Sequence, residues 1–153
     1  MPDVARTLDL PSGQRFEYWK HVLSNTFVPL EVWSPGGGDD FRGLLRGCEL
    51  GSLRIIEVSA EAHTARRTAR LVKAAPAGCY KIGLQLRGSS VLIQDGREAI
   101  LTPGDFTLYD TDRPHQRGSR RSCPQCSSRR CLIQPATVVP LAWKSLCSWR
   151  SEM

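Results

Sequence analysis

Between Phe41 and Pro114 the chain is cut into short apolar segments by turns centred on Gly and Pro, and this punctuation restricts the fold more than any other feature. "FRGLLRGCEL" and "LRIIEVSAEAHTARRT" read as short strands that meet at Gly51-Ser52. In "CYKIGLQLRG" the residues alternate, so Tyr80, Ile82, Leu84 and Leu86 share one face of a strand and Lys81, Gln85 and Arg87 the other. "SSVLIQDGREAIL" reads as a hairpin, because Asp95-Gly96 accepts the positive φ angles of a two-residue turn. Pro103-Gly104-Asp105 forms another turn, expected to feed Phe106 into the core. No crossover helix is visible between the segments, which argues against parallel βαβ units. The expected fold is mostly β, an antiparallel jelly-roll or barrel.

A short helix is expected ahead of the strands, over Ser12 to Thr26. Ser12 is placed to cap it, and Phe16, Trp19, Leu23 and Phe27 recur at three- and four-residue steps on one stripe. Pro29 stops it. "SPGGGDD" (Ser34 to Asp40) lacks the strand before and helix after that a phosphate loop needs, and reads as a turn.

The chain's 153 residues suit one domain. No apolar run approaches the ~20 residues needed to span a membrane, and the N-terminus lacks the apolar region of a secretory signal. A cytoplasmic location is therefore expected, with the six cysteines free or metal-bound rather than paired. The net charge of +6 is unevenly spread: residues 1 to 116 carry 14 basic and 14 acidic residues, whereas residues 117 to 153 carry seven basic residues against Glu152. The body is neutral, so a nucleic-acid role would rest on the basic segment beyond residue 116 and would show steep salt dependence.

"RFEYWKHVLSNTFVPLEV", "FRGLL…LGSLRIIEVSA…H…RRT" and "YKIGLQLRGSSVLIQDGREAILTPGDFTLYDTDRPH" together resemble the N-terminal ligand-binding domain of AraC-type transcription regulators. The resemblance spans about Gln14 to His115 and is densest from Gln85 to Pro114. It implies a cupin-like jelly-roll that binds a small-molecule effector or mediates dimerisation, and that carries no enzymatic activity. It also implies a DNA-binding partner domain of ~100 residues with two helix-turn-helix units, for which residues 117 to 153 show no pattern. Direct DNA contact is thus not expected from this chain, nor is a cofactor or a membrane partner.

Within such a domain Tyr80, Leu84, Leu86, Phe106 and Tyr109 either line the effector pocket or form plain core, while Arg67 and Gln85 supply polarity. Asp110 and Arg113 are placed to pair across a strand end. The competing enzymatic reading is a stand-alone metal-dependent cupin. It would need two histidines one residue apart on a strand, and His21, His63 and His115 form no such pair. Cys48 and Cys79 sit in strand-like apolar contexts typical of small buried thiols.

Residues 117 to 153 contain seven Ser, four Cys and six Arg but one acid. Cys123, Cys126, Cys131 and Cys147 offer a weak zinc alternative, because the second closely spaced pair of a zinc knuckle is missing. The composition matches an out-of-frame reading of GC-rich coding DNA, so residues 1 to 116 are expected to be an incomplete sensor domain followed by an atypical, poorly ordered tail. "CLIQPATVVPLAWKSLCSW" could still supply a strand or short helix. Translating the downstream nucleotides in the other two frames is expected to recover a β continuation and a helix-turn-helix region. Finding neither in either frame would sink the frameshift reading.

Overall fold

The alternating segments pair into two antiparallel sheets that face one another. The computed structural model describes residues 3–51, 53–119 and 136–143. The first strand, β1 (Asp3–Arg6), leads through short 3-10 turns into α1 (Arg15–Thr26). Then follow β2 (Glu31–Trp33), β3 (Gly43–Leu50), β4 (Leu53–Ala60), β5 (Thr64–Arg67) and a short helix α2 (Ala69–Ala74). The remaining strands are β6 (Tyr80–Arg87), β7 (Ser90–Gln94), β8 (Arg97–Leu101), β9 (Phe106–Asp110), β10 (His115–Ser119) and β11 (Ala136–Trp143). Among the described residues one sheet runs β1-β3-β4-β11-β6-β9 and the other β2-β5-β10-β7-β8. The chain passes repeatedly between the sheets, as in a jelly-roll.

Local chemistry accounts for the joints. Asp95 (φ 53°) and Gly96 (φ 72°) make the two-residue turn between β7 and β8 that the Asp-Gly pair predicts. The long segment after Ser52 divides at Glu61–His63, where the chain leaves β4 in one sheet and enters β5 in the other. Strand β11 lies between β4 and β6. Its pairing with β4 lapses between Val138 and Leu141, a stretch containing Pro140, which has no N–H to donate.

The main core forms where α1 lies on the sheets. Trp19 and Leu23 are buried with Val32, Phe41, Leu45, Ile56 and Ala60, and Phe41 packs its ring 5.0 Å from Phe16 and 5.7 Å from Trp19. Thr7 braces this region: its hydroxyl donates to the Phe41 carbonyl at 2.9 Å and accepts from Gly43 N–H at 2.8 Å. Gly43 is required by close approach, because a Cβ there would stand 2.6 Å from the Trp19 ring.

Several expectations are corrected. Ser12 does not cap α1; it belongs to a 3-10 turn after Pro11, and the helix begins at Arg15, whose Nε–H donates to the Leu10 carbonyl. Helix α2 stands between β5 and β6, where the sequence showed none; the Thr68 hydroxyl caps it by accepting from Leu71 N–H, and Pro76 follows its end. Phe106 is 75% exposed rather than delivered to the core. Cys48 is exposed, while Cys79 is half-buried with its thiol 3.3 Å from the Thr111 hydroxyl. Arg113 is shared between Asp95 at 2.7 Å and Asp110 at 3.8 Å, so the corner pair is a three-residue group.

Gly43→Ala forces the Trp19 ring to shift and is expected to lower stability by about 1–3 kcal/mol in urea unfolding. Gly13→Ala, which meets nothing within 4 Å, should stay within about 0.5 kcal/mol of the parent.

Candidate functional site

Strand register decides which side chains enter the space between the sheets. Residues paired across adjacent strands share a face, and β6 pairs Lys81 with Tyr109 and Gly83 with Thr107. Tyr109 and Lys81 are buried, so this face points inward together with Gln85. The other face of β6, with Tyr80, Ile82, Leu84 and Leu86, pairs with Asp110, Leu108 and Phe106 on the outside of the sheet. The alternation predicted from sequence is present, and its sense is reversed: Lys81 and Gln85 face in, while Arg87 at the strand end is exposed.

A cavity of about 120 Å³ opens between the sheets. Leu23 and Phe27 from α1 and its end, Leu30, and Val58 with Ala60 of β4 form an apolar wall. Lys81, Tyr109, His115 and Arg117 bring polar groups from three strands, and Ser90 adds a hydroxyl. His63 and Glu61 stand at the β4–β5 crossing.

Lys81 is 4% exposed, and its ammonium lies 4.5 Å from the centre of the Phe27 ring. Burial, with Arg67 and Arg117 adding like charge, lowers its pKa to about 8. At pH 7 it remains mostly a cation. Arg117 donates to the Gln85 side-chain oxygen at 3.2 Å and to the Ser90 hydroxyl at 3.4 Å. Its guanidinium passes over Gly83, where a Cβ would stand 2.7 Å from Nη1. Burial raises the pKa of Tyr109, so the phenol stays protonated, although Arg117 opposes the shift.

Both cavity histidines are held in one tautomer. His63 Nδ1 lies 2.9 Å from the Glu61 carbonyl and His115 Nδ1 2.9 Å from that of Arg113; carbonyls only accept, so each Nδ1 carries the hydrogen. Burial lowers both pKa values and keeps the rings neutral at pH 7. His63 meets Trp19 and Phe41 edge-on, and His115 packs 4.9 Å from Tyr109. Among the described residues no group of three or more His, Cys, Asp or Glu comes together as a metal site. Cys123, Cys126, Cys131 and Cys147 lie outside the described residues.

Of the seven residues singled out from sequence, Tyr109 lines the cavity. Gln85 is fully buried behind it, accepting from Ser90 at 2.8 Å and from Arg117. Arg67 is fully buried too, but its donors go to the carbonyls of Thr111, Pro29 and Ala75. Tyr80, Leu86 and Phe106 are exposed and Leu84 is half-buried on the outer side. Lys81 and Arg117 line the cavity and are not among the seven. Lys81 reads as the solvent side of an amphipathic strand, and Arg117 reads as the first residue of a basic segment. The regular interruption of an apolar strand by Lys81 and Gln85 was the available signal.

Residues 19–127 match the AraC-binding-like domain family, which is more than half of the chain. An uncharacterised protein encoded in the nit 5′ region of Bacillus sp. (strain OxB-1) is 33% identical over 115 residues, covering 75% of this chain and 44% of that protein. The transcriptional activator NphR of Rhodococcus sp. is 28% identical over 109 residues, covering 71% of this chain and 32% of the activator. The chain therefore spans less than half the length of either relative. The crystal structure of the AraC-like transcriptional activator CuxR superposes with a TM-score of 0.72 at 23% identity, covering 93% of this chain and 46% of that one. That likeness establishes the same fold.

The depressed Lys81 pKa carries a stability consequence. Below about pH 8 the amine is charged in both folded and unfolded chains, and the folded state bears the cost of burial, on the order of 3 kcal/mol. From there toward pH 10.5 the unfolded chain holds a proton that the folded chain has released, so this group's effect on stability improves as pH rises. Lys81→Met is accordingly expected to raise Tm at pH 7, with the gain shrinking above pH 8. His63 and His115 act on the acid side: their lowered values predict falling stability below about pH 6.5, where the unfolded chain takes up protons that the folded rings refuse. Thermal melts from pH 5 to 10 check both limbs.

Proposed function

This chain belongs to the family of AraC-binding-like domains, and on that premise we propose that it is the small-molecule-sensing part of a transcription regulator. The observation that carries the reading is the cavity between the sheets, walled by apolar side chains and pointed with a few convergent polar groups. An effector bound there would touch α1, β4, β6, β9 and β10 at once, so occupancy would couple both sheets to the N-terminal helix. NphR is a transcriptional activator, which supports assigning this domain to regulation rather than to catalysis. We propose that its state is passed to a DNA-contacting part of a longer regulator, or to a second copy of the domain, in the cytoplasm. Among the described residues no helix is long and apolar enough to cross a membrane.

A thermal-shift screen of small metabolites against the purified chain tests the reading. A ligand at 100 times its Kd should add about 2.7 kcal/mol, roughly 5–10 °C for a chain of this size. Ala65→Phe, which places a ring in the cavity wall, should abolish the shift while preserving a cooperative melt. A screen without any saturable ligand, or shifts unchanged in the filled variant, would count against it.

A further inference from the structure

Two cationic side chains, Lys81 and Arg117, line one small cavity, and among the described residues no carboxylate pairs with either. Arg117 donates from Nη2 to neutral acceptors, Gln85 and Ser90. The Lys81 ammonium rests over Phe27, and among the described residues neither cation makes an ion pair. Glu61, the acid at this cavity, uses its Oε2 in an exposed hydrogen bond from Arg42 N–H. Lys81 is buried and Arg117 half-buried, and a cation drawn out of water is normally paired, because desolvation without a counter-ion is costly. Here the structure gathers two cations from facing sheets, Lys81 from β6 and Arg117 from β10, and leaves the anion to be supplied from outside.

We infer that the cavity takes the carboxylate of a small organic acid, gripped by Lys81 and Arg117, with its apolar body against Phe27, Leu23 and Val58. This deepens the sensing role proposed above and rests on it. Charge decides against neutral ligands, which would leave both cations uncompensated. The apolar wall decides against a bare inorganic anion, which would leave that surface uncovered. Size sets the body: the volume of about 120 Å³ is somewhat below the ~150 Å³ of an engineered cavity that holds benzene. A single ring or a branched chain of similar bulk fits that scale. The guanidinium and the ammonium reach the cavity from different strands, so the pair can fix orientation as well as sign.

Isothermal titration of the whole chain at pH 7 tests this with benzoate and cyclohexanecarboxylate against benzamide, cyclohexanecarboxamide and inorganic phosphate. The expected result is that at least one carboxylate binds tenfold or more tighter than its amide, with phosphate weaker than either acid. Lys81→Met and Arg117→Met, changed on separate strands, should each bring the acid-to-amide ratio toward one while retaining a cooperative melt. Amides binding as well as acids would overturn the carboxylate assignment and leave a sensor of neutral ligands standing. Phosphate binding as tightly as the acids would overturn the organic body. No binding by any of the five probes would overturn the inference, and the wider screen would then decide the sensing role separately.

Discussion

The buried guanidinium of Arg67 is the joint on which the other parts of this domain depend. Its Nε–H donates to the Thr111 carbonyl at 2.8 Å, its Nη1 to that of Pro29 at 3.2 Å and its Nη2 to that of Ala75. Those carbonyls belong to the loop after α1, the end of α2 and the corner between β9 and β10. No neutral side chain has enough donors in one plane to satisfy three backbone segments from one position. Thr111 extends the same knot, since its hydroxyl donates to the Cys79 carbonyl just ahead of β6. Asp112 adds to it by accepting from the backbone N–H groups of Ala77 and Gly78. The loops so fixed carry Phe27 and Leu30 on one side and His115 on the other, all of which reach the cavity. A buried cation spent on backbone carbonyls is thus what allows an interior with a hole in it to remain ordered.

The cavity reverses the usual economy of a β-sandwich. Inner faces are ordinarily apolar and outer faces polar, yet β6 turns Lys81 and Gln85 inward, and its outer side carries Leu86 beside the exposed Phe106 and Leu108 of β9. Gly83 is part of the same arrangement, since any side chain there would collide with the Arg117 guanidinium. Gln85 occupies a middle position: it accepts from Ser90 and Arg117 and donates to the Arg87 carbonyl, so it orients the cation without lining the cavity. These contacts place a positive region beside an apolar wall, with Lys81 buried and Arg117 half-buried.

Much of the fold is legible in the residues. The aromatic stripe of α1, the Asp95-Gly96 turn and the alternation of β6 each report a local backbone preference, and each appears where its chemistry predicts. Helix α2 is not legible, because six residues give no helical periodicity and its Thr68 cap and Pro76 stop are short-range signals shared with loops. The site was far less legible. Tyr109 and Phe106 both read as pocket lining or core, yet Tyr109 is buried and Phe106 faces solvent. Nothing in the local pattern separates the two, since they lie three residues apart on one strand and so on opposite faces.

The sequence by itself determined the strand period, the positions of the turns and the membership of a mostly β class, because these follow from steric preferences of neighbouring residues. It could not determine the sense of β6, since a period of two is satisfied equally by either face. That choice belongs to tertiary structure: β9 fixes Lys81 beside Tyr109, and β10 brings Arg117 over Gly83 from the opposite sheet. Residues 36 positions apart in the chain thereby share one cavity, and the free energy that holds two like charges there comes from the packing and carbonyl contacts of the whole domain rather than from either strand.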